Sequence, residues 1–145
     1  MNKSEIAREL NEAHEAFLEF AESLGDEDFC ASRNGKWSPA EQVDHIRRGI
    51  APLARAFVLP KFVPRMLFGK SKSASRDYDT IVATYRQKLA EGGRASGRFL
   101  PDSNQDRAAL SAAVRTELKS LISGFSKLSE EELDAIRLPH PLLGK

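Results

Sequence analysis

Three histidines and a few carboxylates are the residues of this chain whose types and spacing could do chemistry. His45 has the strongest case. It lies four residues after Glu41 and one after Asp44. Imidazole is a standard ligand for zinc, nickel or iron. On a helix of about 100° per residue, His45 falls about 120° from the centre of its own apolar stripe, just past the edge. Gly49 and Ala56 share that flank and leave room for another helix or a small molecule. Taken alone, such a histidine reads first as a hydrogen-bonded boundary residue and second as a ligand.

The other candidates are weaker. His14 lies about 80° from the centre of the first stripe and reads as a boundary residue that could face the same cavity. His140 precedes Pro141, which favours an extended loop conformation. No pair of histidines, and no Glu-x-x-His, has the spacing that sets two ligands on one helix. Glu41 is within a turn of His45 and could orient it, but a capping role explains it better. Asp44 is expected to point outward into solvent. Cys30 falls in an expected loop, and only Arg33 stands near to activate it, so it reads as a half-buried inert thiol. Nucleophile elbows, phosphate-binding glycine loops and zinc-finger spacings do not occur. Gly92, Gly93 and Gly97 read as turn glycines. No catalytic residue can be assigned.

Helices must position these residues. Ile6, Leu10, Ala13, Phe17, Phe20 and Leu24 recur every three or four residues, the signature of one apolar helix face. Gly25 then ends the helix. Asn34-Gly35 marks a turn in the connection from Asp26 to Lys36. Ser38 is a good N-cap, Pro39 suits the first helical position and Glu41 completes a capping box. The stripe Val43, Ile46, Ile50, Leu53 and Phe57 follows, with Pro52 expected to kink or interrupt it. Phe57 to Lys72 mixes apolar and basic residues with Pro60, Pro64 and Gly69, and reads as a short broken helical excursion plus a loop. Tyr78, Ile81, Val82, Tyr85 and Leu89 form a shorter stripe ending at Gly92. Asp102 or Ser103 is expected to cap a long helix striped by Leu110, Val114, Leu118, Leu121, Phe125 and Leu128. Ser129 to Glu132 is a further capping box. No alternating β pattern appears, so the expected class is all-α. Ile6, Leu10, Phe17, Val43, Ile46, Ile50, Leu53, Val114, Leu118, Leu121 and Phe125 are the expected core.

The 145 residues suit one domain, 1–145. A lone cysteine excludes an intrachain disulfide, and a cytoplasmic location is the expectation. No uncharged run approaches the roughly 18 residues of a membrane span. The net charge of +1 is unevenly spread: His45 to Arg76 carries eight arginines and lysines and no acid, which leaves −7 on the rest. The simplest reading is a basic flank facing an acidic one within the fold. No nucleic-acid partner is expected, because the stretch has no helix-turn-helix and its phenylalanines look like packing residues. A membrane-surface role for Phe57–Lys72 is weighed against its prolines, which argue against a regular amphipathic helix.

The stretch Gly35-Lys36-Trp37-Ser38-Pro39-Ala40-Glu41-Gln42-Val43-Asp44-His45-Ile46 resembles the second-helix signature of the DinB-like superfamily. Tyr85 to Gly97 is similar to that family's connection before its third bundle helix, and Leu138 to Gly144 to the lead-in to its last helix. The resemblance implies an up-down four-helix bundle holding one divalent metal through three histidines, one on the second helix and two on the last. The first carries over to His45. The other two have no counterpart, so the last helix is expected to be truncated or missing. A zinc, nickel or iron ion is then expected only if further histidines follow Lys145, and none in the chain as given. The resemblance implies a metal-dependent hydrolase or thiol transferase on a small molecule. The alternative is a non-enzymatic bundle binding a small apolar ligand or a protein partner. A bundle short of one wall exposes an apolar groove that would suit a homodimer.

Overall fold

The computed structural model describes residues 2–60, 62–69, 71, 76–102 and 106–144, the side chains of Pro64 and Arg65 excepted. Each long helix starts where a side chain can take up the free N–H groups of a first turn. Asn2 caps helix α1, Lys3–Ser23, through a reciprocal pair with Glu5. A short helix α2, Asp26–Cys30, follows. Asn34 and Gly35 both adopt positive φ, 55° and 69°, and close the turn foreseen there. Ser38 and Glu41 form the expected capping box of helix α3, Pro39–Val58. Helix α4, Phe62–Phe68, is the short excursion. Helix α5, Tyr78–Ala90, begins at Asp77, and a single 3₁₀ turn spans Gly97–Phe99. Helix α6, Arg107–Ser126, and the short helix α7, Glu130–Ala135, complete the order. Among the described residues no strand occurs. Two isolated bridges, Arg33 with Lys36 and His140 with Gly144, merely close turns.

The core is built on α6. Leu110, Val114, Leu118, Leu121 and Phe125 are buried along it, facing Val43, Ile50 and Ala54 of α3 and Leu18 and Ala21 of α1. Lys3 Nζ donates to the Leu128 carbonyl at 2.6 Å, and at the other end Arg107 Nη1 donates to the Leu24 carbonyl at 2.6 Å. Helix α1 therefore runs antiparallel to α6. Helix α3 runs parallel to α6, because Arg47 faces Glu117 and Phe57 meets Phe125 ten residues further on. The crossover between these two parallel helices carries α4, α5 and the 3₁₀ turn.

Several expectations are corrected. Ile6 is 42% exposed and Leu53 37%, while Leu10, Phe17 and Ile46 are only half-buried against the core. The apolar face of α1 is wider than α6 covers. The Leu18–Ala21 side meets α6, and the Ile6, Ala13, Phe20 side stays exposed among the described residues. Of the kink or interruption expected at Pro52, the interruption does not occur: helix α3 runs from Pro39 to Val58 with Pro52 inside it. Asp106, not Asp102, caps α6: its carboxylate accepts the Ala109 N–H at 2.7 Å. Ser103, the alternative cap, lies outside the described residues. Cys30 ends α2 and is exposed rather than half-buried. Helix α5 buries no residue fully.

Two helical glycines make opposite tests of this packing. A Cβ on Gly124 would lie 2.7 Å from Phe57 Cβ and 3.2 Å from the Phe57 carbonyl group, atoms that no rotamer change can move. A Cβ on Gly49 meets nothing within 4 Å. Replacing helical glycine by alanine is worth about 0.5–1 kcal/mol, whereas overpacking costs about 1–3 kcal/mol. Chemical denaturation should therefore find Gly49→Ala stabilised and Gly124→Ala destabilised. Equal shifts for the two would show that α3 and α6 do not meet at Phe57.

Candidate functional site

Of the residues singled out from sequence, Glu41, Asp44 and His45 lie together in the N-terminal half of α3. The capping box uses Glu41 as foreseen, and its carboxylate also accepts from Ser32 Oγ at 3.1 Å. The Ser38 N–H, ahead of the hydroxyl bonds, holds the Glu41 carboxyl below its ordinary value. Glu41 is thus committed to the helix start and does not touch His45.

His45 is half-buried, and its Nδ1 lies 2.9 Å from the Phe99 carbonyl oxygen. A carbonyl only accepts, so Nδ1 carries the proton and a neutral ring keeps its lone pair on Nε2. The Trp37 ring packs on the imidazole with centroids 4.9 Å apart. The ring is held from two sides, by a hydrogen bond to the crossover and by an aromatic contact at the helix start. Backbone-carbonyl acceptance at one nitrogen is the arrangement that orients a ligating histidine through the other. It is equally a way to tie a loop to a helix.

Asp44 overturns its expectation. It has no exposed surface at all. Its Oδ1 accepts from Arg47 Nε at 3.1 Å and Nη2 at 3.0 Å. Its Oδ2 accepts from Arg48 Nε at 2.6 Å and from the Asp102 backbone N–H at 2.8 Å. Burial alone would raise its pKa. The Asp102 N–H, then Arg48 and Arg47, outweigh burial and hold the carboxyl below its ordinary 3.8. Arg48 also reaches the Arg98 carbonyl at 3.3 Å. Asp44, His45 and Arg48 therefore pin the segment from Arg98 to Asp102 onto α3.

Glu117 of α6 escaped notice in the sequence. Its Oε1 lies 3.8 Å from Arg47 Nη1, and its buried Oε2 has no hydrogen-bond partner. Burial raises its pKa, with Arg47 and Arg55 opposing. Its position beside Leu118 and three residues after Val114 was the available signal: a carboxylate on the shoulder of a buried stripe.

The remaining histidines are elsewhere. His14 Nδ1 lies 2.6 Å from the Leu10 carbonyl within α1, a local bond that leaves it a boundary residue. His140 Nδ1 accepts from the Leu142 and Leu143 N–H groups at 3.1 and 3.2 Å, and its ring meets Tyr85 edge-on. Burial lowers its pKa, in keeping with that accepting role. Among the described residues no three of His, Cys, Asp or Glu group so as to hold a metal ion. Near His45, Asp44 and Glu41 are spent on other partners.

A separate cleft of about 390 Å³ opens at the far end of α3 and α6, between Phe57, Leu59, Gly124, Lys127, Leu128 and Ile136. His45 is not part of it.

A family model described as the DinB superfamily matches residues 9–144. No curated protein and no solved structure matches the chain.

The buried carboxylate yields a stability prediction. Asp44→Ala strands two arginines and a backbone N–H, and removing one partner of a buried pair costs about 3–5 kcal/mol. Arg47 and Arg48 keep some access to water, so a loss of about 2–4 kcal/mol is expected. A folded pKa below 3.8 means the ionised carboxylate stabilises the fold above that pH, and the contribution disappears as pH falls through the lowered value. The stability gap between parent and Asp44→Asn should be constant from about pH 5 to 7 and narrow below about 3.8. A gap that widens on acidification would contradict the assignment.

Proposed function

The chain belongs to the DinB superfamily, and on that premise we propose that its function rests on His45 as the first donor to a divalent metal, zinc, nickel or iron. The observation that supports this reading is the Nδ1 contact to the Phe99 carbonyl, which leaves Nε2 as the coordinating atom. The fit is partial. His45 suits the role, but the described residues supply no second and third ligand, and stable sites take at least three. On this reading two further donors complete the site, and the described residues do not supply them. A metal so held would activate water or a thiol as nucleophile, in a hydrolase or thiol transferase acting on a small molecule. The part of this chain is to hold the imidazole: Trp37 fixes its plane, and the 98–102 segment, latched by Asp44 and Arg48, holds its proton on Nδ1.

A second reading has its own observation. The cleft at Phe57 and Leu128, where Ser120, Ser123 and Lys127 stand among the apolar lining residues, falls within the roughly 300–1,000 Å³ range of small-molecule sites. It favours a non-enzymatic bundle that takes a small apolar ligand there.

Metal analysis of the 145-residue chain, beside the whole product of its gene, tests the first reading. The 145-residue chain should retain no ion through desalting. A longer product with two further histidines should bind one, and His45→Ala should abolish that binding while far-ultraviolet circular dichroism stays helical. A stoichiometric ion retained by His45→Ala in either form would refute the role given to His45.

A further inference from the structure

Five large apolar side chains crowd the surface around α4. Val58 is 68% exposed, Phe62 65%, Met66 72% and Leu67 60%, with Leu59 beside them at 46%. Leaving so much apolar area in water within ten residues is unfavourable, and large apolar side chains exposed so close together in the chain point to an interaction surface. The same stretch is where the chain concentrates its positive charge. Lys61 and Arg65 interleave with the apolar residues in sequence, Arg55 and Lys70 flank them, and no acid occurs from His45 to Arg76. Of the eight bases in that span, Arg47 and Arg48 are consumed by Asp44. Arg55 has no hydrogen-bonded acid, although Glu117 lies within electrostatic range of it. The acidic helix α7 comes close to this stretch where the Ser71 N–H donates to the Ala135 carbonyl.

We propose that the surface from Val58 to Leu67 docks on an anionic lipid bilayer. Phenylalanine, leucine and methionine side chains standing clear of the fold can enter the boundary between headgroups and acyl chains, and the bases of the same stretch of sequence supply the charge that lipid phosphates attract. An anionic leaflet attracts each base, so apolar insertion and electrostatics act at the same residues. The prolines at 60 and 64 that disfavour a long amphipathic helix do not disfavour this, because a one-to-two-turn helix already presents the apolar side chains. A second copy of the chain fits less well: a two-fold contact through this patch would bring together two stretches of sequence that each carry bases and no acid. Among the described residues no helix is long and apolar enough to cross a membrane, and the proposed contact is with the bilayer surface. The proposal makes no use of His45 or of a metal.

Cosedimentation with vesicles tests it. The chain should bind vesicles of phosphatidylcholine containing about 30% phosphatidylserine at least about tenfold better than phosphatidylcholine alone, and release as salt is raised. Met66→Ser/Leu67→Ser and Lys61→Glu/Lys70→Glu should each weaken binding to the anionic vesicles at least about tenfold, with unchanged helical circular dichroism. If the serine pair lowers helicity, Met66→Ser alone replaces it and should still weaken binding measurably. Absence of binding to the anionic vesicles, equal binding to both lipids, or binding that neither variant weakens would overturn the proposal. So would a dimer in sedimentation equilibrium that Met66→Ser/Leu67→Ser dissociates, since a second copy would then be the occupant. Tighter binding to duplex DNA than to the anionic vesicles at the same salt would also overturn it.

Discussion

Asp44 is a carboxylate with no surface in water, and much of the arrangement around α3 follows from keeping it charged there. A buried anion is tolerable only when donors replace its hydration. Two of the donors, Arg47 and Arg48, come from its own helix one turn on. The third is the backbone N–H of Asp102, more than fifty residues away in the chain. Satisfying Asp44 therefore brings the end of the crossover against α3, just ahead of α6. The crossover in turn offers the Phe99 carbonyl to His45 and the Arg98 carbonyl to Arg48. One desolvated charge thus links a local helix to a distant segment and sets the orientation of the residue with the best claim to chemistry.

The other end of the α3–α6 pair is organised by size rather than charge. Gly124 lets Phe57 come against the α6 backbone, and the Phe57 ring then meets Phe125 edge-on, centroids 6.2 Å apart. Close approach there, and the buried stripe between, leave the two helices parallel along most of their length. The open cleft and the exposed apolar residues of α4 both lie just beyond this contact, at the opposite end of α3 from His45. The two ends are chemically distinct. One is polar, latched and aimed by hydrogen bonds. The other is apolar and lies in the stretch of sequence that carries bases and no acid.

Helix α1 is tied to α6 mainly by charge at its margins. Arg115 grips Glu15 and Glu22, Arg107 reaches Asp26 and the Leu24 carbonyl, and Lys3 closes on the Ser126 carbonyl at the end of α6 and the Leu128 carbonyl just past it. Beneath them only Leu18 and Ala21 of α1 are fully buried. Exposed ion pairs contribute little individually, so the α1 register rests on these few buried side chains and on cations that satisfy helix-end carbonyls.

The sequence alone determined the helical class, the starts at Ser38 and Ser129, the turn at Asn34-Gly35, the capping role of Glu41 and the buried stripe of α6. Those features depend on neighbours within about four residues, through capping geometry, left-handed backbone preference and 3.6-residue periodicity. The family was also legible, because the residues from Gly35 to Ile46 keep their order around one helix start. Partnership across the chain was not. On helix geometry alone Asp44 points away from its stripe, and nothing local reveals that Asp102 will return to cover it. Ile6 and Phe20 continue a perfect stripe, yet a stripe is buried only as far as a neighbour extends over it, and α6 extends over the side bearing Leu18 and Ala21. Glu117 loses water on one oxygen only because α3 is laid beside it. Which polar groups lose water is decided by the packing of separate helices, and that is a property of the tertiary structure alone.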